Sequence, residues 1–368
     1  MRAFVEVDLA AIAENIATIK SRTNVPIMAV VKADAYGHGL IPVALQAIES
    51  GATWLGVALL EEAIALRGAG IQVPIIAWLT PPHDDFESAL KHNIDLSVSS
   101  VQLFSEILKV GKRLRINPRL QFEVDTGMRR GGVLEDWEPF LHFADEHRNE
   151  YQLIGFWSHF ARADEPHSEF NAIQAREFER KLQALEAEWL VPSTVHLSNS
   201  AAILSNPTAH HSMVRLGIAM YGLSPDVNHM GGGSTLNLRP AMTIKAQLHL
   251  IKEAWAGDAV GYGGAQVVVR DTKLGVIAMG YSDGLPRSTS NAAGVSYKGR
   301  KAPLVGRISM DQCVVDLGPD STAVAGELVT VMGGDGYSID EWAQAANTIN
   351  YEIVTRIASR VPRIYQLK

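Results

Sequence analysis

At 368 residues, 47% of them apolar and 20% charged, the chain has room for a large domain plus a smaller one and the composition of a folded globular protein. A net charge of -7 with no basic block gives no electrostatic case for a nucleic-acid partner. The single cysteine, Cys313, excludes an internal disulfide and a Cys-x-x-Cys metal site, and no run approaches ~18 uninterrupted apolar residues, so no membrane span is expected.

The opening MRAFVEVDLAAIAENIATIK lacks a basic stretch followed by an apolar core, so a cytoplasmic protein is expected. A helix over about 8–20 precedes the first strand and could close a ring. Strand-sized apolar runs then follow at 27–31, 54–58, 74–78, 94–98, 120–124, 153–157, 194–198 and 214–222, with helical patterns between them, as at 61–70 and 168–190. Eight such runs predict a (β/α)8 TIM-type barrel, with a doubly wound open sheet as the structural rival. GGGS at 231–234 reads as a linker or flexible turn. Beyond it come β-type runs at 243–251, 273–280, 313–318 and 327–334. The expected division is a barrel over 1–234 and a smaller, mostly β C-terminal domain over 235–368.

The strongest local signal is AVVKADAYGHG, 29–39, where Lys32 directly follows an apolar strand. In a barrel, the C-terminal strand end is the active-site face. A lysine held among apolar residues can lose its proton and form a Schiff base. Tyr36, Gly37, His38 and Gly39 follow, offering a polar ring and a backbone able to approach a ligand closely. Ser200 reads either as a helix N-cap before AAIL or as part of an anion site, two roles that use the same free N–H groups. Asp125 reads as a turn residue before Gly127.

AVVKADAYGHG resembles the pyridoxal-phosphate attachment motif of alanine racemases. DTGMRR (125–130), SHFARAD (158–164), HLSNSAA (196–202), MVRLGIAMYG (213–222), VGYGG (260–264), GYSDGLPR (280–287), GRISMDQ (306–312) and NYEIVTRIASRVPR (350–363) resemble that family's landmarks, in its order. The resemblance covers almost the whole chain. It implies a barrel joined to a β domain, pyridoxal 5'-phosphate as cofactor, and a homodimer with shared active sites. It implies that Lys32 holds the cofactor, that Tyr36, Ser200, Gly217, Ile218 and Tyr351 bind its phosphate, and that Arg215 faces the pyridine nitrogen. Lys32 and Tyr262 would be the two bases, one for each face of the alanine Cα. His159, polarised by Arg215, would help Tyr262, whose unperturbed pKa near ~10 is high for a base. Arg130 would contact the cofactor's phenolic oxygen and the substrate carboxylate. Met310, Asp311 and Tyr281 would narrow the substrate site, and D-alanine for peptidoglycan would be the product's use.

The sequence departs from the resemblance at Glu123, where many relatives carry a lysine that becomes carbamylated. Glutamate there supplies a permanent anion without carbon dioxide, with a shorter reach towards Arg130. Ser309 stands where a cysteine is common. Three other readings compete: a racemase of broader specificity, a non-catalytic pyridoxal-phosphate carrier, and a metal-dependent barrel hydrolase. The carrier needs no second base such as Tyr262. The hydrolase lacks its His-x-His ligand sets, and HH at 210–211 sits in an isolated polar stretch, so no metal is expected.

Overall fold

The structure, a computed structural model, describes residues 1–366. Strand β1 (Ala3–Asp8) and helix α1 (Leu9–Lys20) open the chain. All eight apolar runs then form strands: β2 (Ile27–Val30), β3 (Trp54–Val57), β4 (Ile75–Ala77), β5 (Asp95–Val98), β6 (Arg119–Glu123), β7 (Gln152–Trp157), β8 (Thr194–His196) and β9 (Val214–Leu216). They are legible as runs because parallel strands covered on both faces need apolar side chains at every position, not at alternate ones. Neighbours pair in parallel in the order β9-β2-β3-β4-β5-β6-β7-β8. The last strand lies beside the first, in register Met28 to Arg215, which a doubly wound open sheet would not give. No ladder joins β8 to β9 among the described residues, but two backbone bonds cross the gap. Ser212 N donates to Val195 O at 3.1 Å and Arg215 N to Ser198 O at 3.0 Å. The barrel is therefore nearly closed.

Two compact units result. One comprises Ile12–Ala35 and Leu40–Leu238; the other comprises Met1–Ala11, Tyr36–Gly39 and the chain from Arg239 onward. The sequence division near 234 thus lies close to the change of unit, but it left the first eleven residues with the barrel. They group with the second unit because β1 has paired neighbours there. The second unit holds β10 (Met242–Ala254), β11 (Ala259–Val260), β12 (Gln266–Val267), β13 (Thr272–Ile277), β14 (Gly294–Tyr297), β15 (Arg300–Pro303), β16 (Cys313–Asp316), β17 (Leu328–Met332) and β18 (Arg363–Gln366). β1 runs antiparallel to β10 and parallel to β18. An irregularity between Leu248 and Leu250 lets the long β10 pair with β17 at one end and β13 at the other. The unit is mostly β, with helices Ile339–Ala345 and Asn350–Thr355.

GGGS is not a loose linker. Gly233 begins a 3-10 turn, Gly233–Leu236, and a Cβ there would lie 2.6 Å from Gly222 O. No helix among the described residues is long and apolar enough to cross a membrane.

Candidate active site

Lys32 stands just past β2, at the head of a turn in which Ala33, Asp34, Ala35 and Tyr36 all take left-handed φ of 54°, 54°, 51° and 52°. Each such non-glycine residue costs about 1–2 kcal/mol, so the turn must be held from outside. Three bonds do this. Glu62 Oε1 accepts from Ala33 N at 2.6 Å, Val31 O from Ala35 N at 2.8 Å, and Asp34 Oδ1 from Leu40 N at 2.8 Å. Burial lowers the pKa of the Lys32 ammonium, and repulsion from Arg130 lowers it further. Both effects favour the neutral amine that a nucleophile or base requires.

The glycines after Lys32 serve the protein's own packing. A Cβ on Gly37 (φ 78°) would lie 2.1 Å from Val354 O, and one on Gly39 (φ 101°) 1.9 Å from Tyr365 Oη. The close approach at these glycines is to backbone and side chain of the second unit's own helix and strand.

At the end of β6 the chain folds back on itself. Asp125 Oδ1 accepts from Gly127 N at 2.7 Å and its Oδ2 from Arg129 N at 3.0 Å, so it is the turn residue expected. Val133 N donates to Glu123 O at 2.8 Å and closes the loop that carries Arg130. A Cβ on Gly131 would lie 3.0 Å from Glu123 Oε1, so the loop backbone rests on that carboxyl. Burial pushes the Glu123 carboxyl up to about 7, against the attraction of Arg130 and Arg215. The expectation of a permanent anion is corrected: desolvation makes Glu123 titrate near neutrality. It forms no direct ion pair with Arg130 among the described residues.

Arg215, the central residue of β9, is buried and locked. Its Nη1 donates to His196 Nδ1 at 2.8 Å and His196 O at 2.9 Å. Its Nη2 donates to Ser158 O at 2.8 Å, Leu197 O at 3.0 Å and His159 Nδ1 at 3.3 Å. Burial brings its pKa down to about 9, so it remains a cation at neutral pH. Burial also drives His159 well below the usual imidazole range, with Arg215 adding to the shift. A neutral His159 that accepts at Nδ1 carries its proton on Nε2 and offers that N–H as a donor. All of these bonds use Nη1 or Nη2, which leaves Nε–H as a further donor. His196 was not singled out from the sequence; the available signal was a polar residue inside the apolar run TVHLS.

Ser200 is buried and its Oγ accepts from Gly217 N at 2.9 Å and Ala219 N at 3.4 Å. The helix cap here is Asn199, whose side chain accepts from Ala202 N at 3.0 Å, so Ser200 is the first helical residue and not the N-cap. With its oxygen already accepting, the Ser200 hydroxyl proton is directed outward as a donor. Ile218 begins the 3-10 turn Ile218–Tyr221, and the first N–H of a helix has no acceptor within it. Ser200 Oγ–H and Ile218 N–H therefore form a small donor pair suited to a phosphate, while Gly217 N–H is spent on orienting the Ser200 hydroxyl.

The other expected residues lie in the second unit. Tyr36 and Tyr351 face one another, ring centroids 6.2 Å apart. Tyr262 is 70% exposed, between Gly261 (φ 72°) and Gly263 (φ 75°). Tyr281 and Met310 share one loop cluster: Tyr281 N donates to Ser309 O at 3.0 Å, and Ser282 Oγ to Met310 O at 2.7 Å. Asp311 accepts from Ser282 Oγ at 3.0 Å and from Arg360 Nη2 at 2.6 Å. Arg360 and Arg2 both clasp the buried Asp283 beneath that cluster.

Residues 7–225 match the model of the alanine racemase N-terminal domain and residues 241–365 that of the C-terminal domain. The chain belongs to the alanine racemase family. It is 43% identical over 372 residues to the alanine racemase of Salinispora arenicola, covering 99% of this chain and 98% of that protein. Among solved structures, the alanine racemase of D-cycloserine-producing Streptomyces lavendulae aligns with a TM-score of 0.97 at 41% identity, covering 100% of this chain and 98% of the other. That of Bacillus anthracis with bound L-Ala-P aligns at 0.91 and 36% identity, covering 100% and 95%. The family's barrel and β domain, expected from motif order, are the architecture found.

Proposed function

We propose that this family member interconverts L- and D-alanine with pyridoxal 5'-phosphate, using Lys32 and the Tyr262 of the partner subunit as its two bases. The observation that carries the reading is the barrel cluster: a lysine whose proton is destabilised, an arginine locked with one donor left over, and a pair of donors at Ser200 and Ile218 with the small Gly217, whose N–H orients Ser200, between them. These residues fit the cofactor. Lys32 would hold it covalently, Arg215 Nε–H would meet its ring nitrogen, and Tyr36 and Tyr351 would join the donor pair around its phosphate. When bound, it supplies an electron sink that makes the alanine Cα–H acidic.

The protein's part is proton handling and placement. Lys32 Nζ takes or gives the proton on the D-alanine face, and Tyr262 Oη does so on the L-alanine face. His159 Nε2–H donates to the Tyr262 oxygen and favours its ionised form. Arg215 keeps its own proton, so it would give the ring nitrogen a hydrogen bond without a full charge. Arg130 holds the substrate carboxylate, while Met310, Asp311 and Tyr281 of the partner subunit narrow the site to a methyl side chain. The exposure of Tyr262 and of Met310, at 70% and 55%, supports a dimer that covers them. A cytoplasmic location and a supply of D-alanine for peptidoglycan belong to the same proposal.

Borohydride reduction followed by peptide mapping should place the cofactor label on Lys32, and the unreduced protein should abolish the optical rotation of L-alanine. Label on another lysine, or unchanged rotation, overturns the reading.

A further inference from the structure

Beneath the site, a row of polar side chains crosses the barrel interior. Arg119 Nε, at the start of β6, donates to Asp95 Oδ1 at 2.5 Å. Gln121 Nε2 donates to Asp95 Oδ2 at 2.8 Å. Gln121 Oε1 lies 2.8 Å from His196 Nε2, and His196 Nδ1 lies 2.8 Å from Arg215 Nη1. Asp95, Gln121 and His196 are each wholly buried. An interior built only for stability would use apolar side chains here, since buried polar groups are costly unless every bond is made.

The two ends of the row have fixed polarity. A guanidinium can only donate, so His196 must accept at Nδ1 and carry its proton on Nε2. A carboxylate can only accept, so Gln121 must turn its amide nitrogen to Asp95 and its oxygen to His196. Burial alone favours the neutral form of both: it drives His196 well below the usual imidazole range and pushes the Asp95 carboxyl up, with Arg119 opposing the latter. The surroundings make room for this geometry. A Cβ on Gly155 would lie 2.5 Å from Gln121 Oε1, and Trp157 stacks on His196 with the rings 7° from parallel.

We propose that Asp95, acting through Gln121, fixes which nitrogen of His196 carries the proton and thereby holds the Arg215 guanidinium in place. Asp95 and Gln121 are positioning residues, far along a hydrogen-bonded chain from any reacting atom. The kinetic consequence rests on the reading of Arg215 as the cofactor's ring partner; the tautomer itself does not.

The test is Asp95→Asn, which keeps the shape and reverses the polarity. The substituted amide still accepts from Arg119 through its oxygen, so it presents N–H groups to Gln121. The Gln121 amide then turns over, His196 Nε2 becomes the acceptor, and its Nδ1–H points at the donors of Arg215. In cofactor-free protein labelled with 15N-histidine, the His196 resonances (assigned by their loss in His196→Gln) should show Nε2–H in the parent and Nδ1–H in Asp95→Asn. In the loaded enzyme, displacement of Arg215 should lower kcat about tenfold or more with little change in KM, because small positioning errors are costly. Arg119→Met removes the same ion pair but leaves the carboxyl; measured at high pH, where Asp95 stays ionised and can only accept, it should keep the parent tautomer, whereas a purely structural role predicts equal behaviour of the two variants. Should Asp95→Asn fail to fold, Gly155→Ala displaces the Gln121 amide without altering charge and should mix the two tautomers. Nδ1–H in the parent, or a His196 tautomer indifferent to both changes, overturns the proposal. Inversion of the tautomer with kcat unchanged upholds the relay and discards the reading of Arg215.

Discussion

The barrel cluster and the loop cluster of the second unit are built on opposite principles. Lys32, Glu123, His159 and Arg215 all have their pKa values displaced by burial first and by neighbouring charges, Arg130 among them, second. Tyr262, Met310 and Asp311 face water, although Asp311 is tied down by Arg360. One half is already in a low-dielectric setting with its dipoles fixed; the other is a shaped surface open to water. Preorganised charge is worth most where water is excluded, so a site completed by a second copy would bring the exposed half into the same regime.

The sharpest way to break that comparison is to split the two halves between chains. Lys32→Ala and Tyr262→Ala homodimers should each be inactive. Mixed under subunit-exchange conditions, they should form heterodimers with one intact site and one doubly damaged site, and activity should return. Heterodimers that form without activity would place both bases in one chain. Tyr262→Phe should separate the bases further. Racemisation should fall by about 10²–10⁴, the usual contribution of a general base. Exchange of the Cα proton of D-alanine with deuterated water should persist, and that of L-alanine should cease. Exchange lost equally from both enantiomers would refute the division of labour.

A second comparison concerns what holds the exposed half in shape. Burial opposes ionisation of Asp283, yet hydrogen bonds from Arg2 and Arg360 hold its carboxyl down to about 2. It also accepts from Gly280 N at 2.9 Å, at the base of the Tyr281 turn. Asp283→Ala should cost about 2–4 kcal/mol in urea denaturation at pH 7, since charge-assisted bonds are lost, Arg2 loses its carboxylate and Arg360 keeps only Asp311. The folded pKa lies below the unfolded one, so this contribution is present above the unfolded value and is lost as pH falls through about 2. The gap between parent and variant should therefore narrow below pH 4. A gap that stays constant down to pH 2 would mean that the arginines are not its source.

The difference between the two regions also governs what the sequence could reveal. The barrel strands were legible because runs such as IMAV and WLGV are apolar throughout. β1 was not, because AFVEVD carries Glu6 and Asp8 within its run, leads straight into a helix and is defined by its pairing with β10 and β18. β14, β15 and β18 were missed because they too carry polar residues and are defined by their pairing. The left-handed turn after Lys32 carried no glycine at Ala33–Tyr36 to announce it, since its strain is offset by distant Glu62 and by Asp34. In the site, Lys32, His159, Ser200 and Arg215 were found by motif and are brought to one end of the barrel. Asp95, Gln121 and His196 were not, because three single polar residues in three separate strands become a row only once the barrel closes. Their signal was there to read: each is a polar residue inside a strand-sized run, as IDLSV, LQFEV and TVHLS show.

Glu123 stands where burial competes most evenly with charge, and it gives the smallest but most diagnostic effect. Its carboxyl rests under the Arg130 loop at Gly131 and titrates near 7, so it is neutral at pH 6 and charged at pH 8. If the anion holds Arg130, through water since no direct ion pair exists among the described residues, Glu123→Gln should match the parent at pH 6 and turn over a few-fold more slowly at pH 8. A well-made charge-assisted bond would be worth about 1.5–3 kcal/mol, and an indirect one less, which is why a few-fold effect is expected. Stability should move the other way. The folded pKa is raised above the unfolded value of 4.5, so the stabilising contribution is complete below 4.5 and is lost as pH rises through about 7. The loss amounts to about 3 kcal/mol, and glutamine does not suffer it. Glu123→Gln should accordingly gain stability relative to the parent between pH 5 and pH 8 while losing rate. Neither property of the parent should respond to removal and restoration of carbon dioxide, because no carbamate is involved. Identical kinetics at pH 8 with D- and L-alanine alike would show that Glu123 merely fills space beneath the loop.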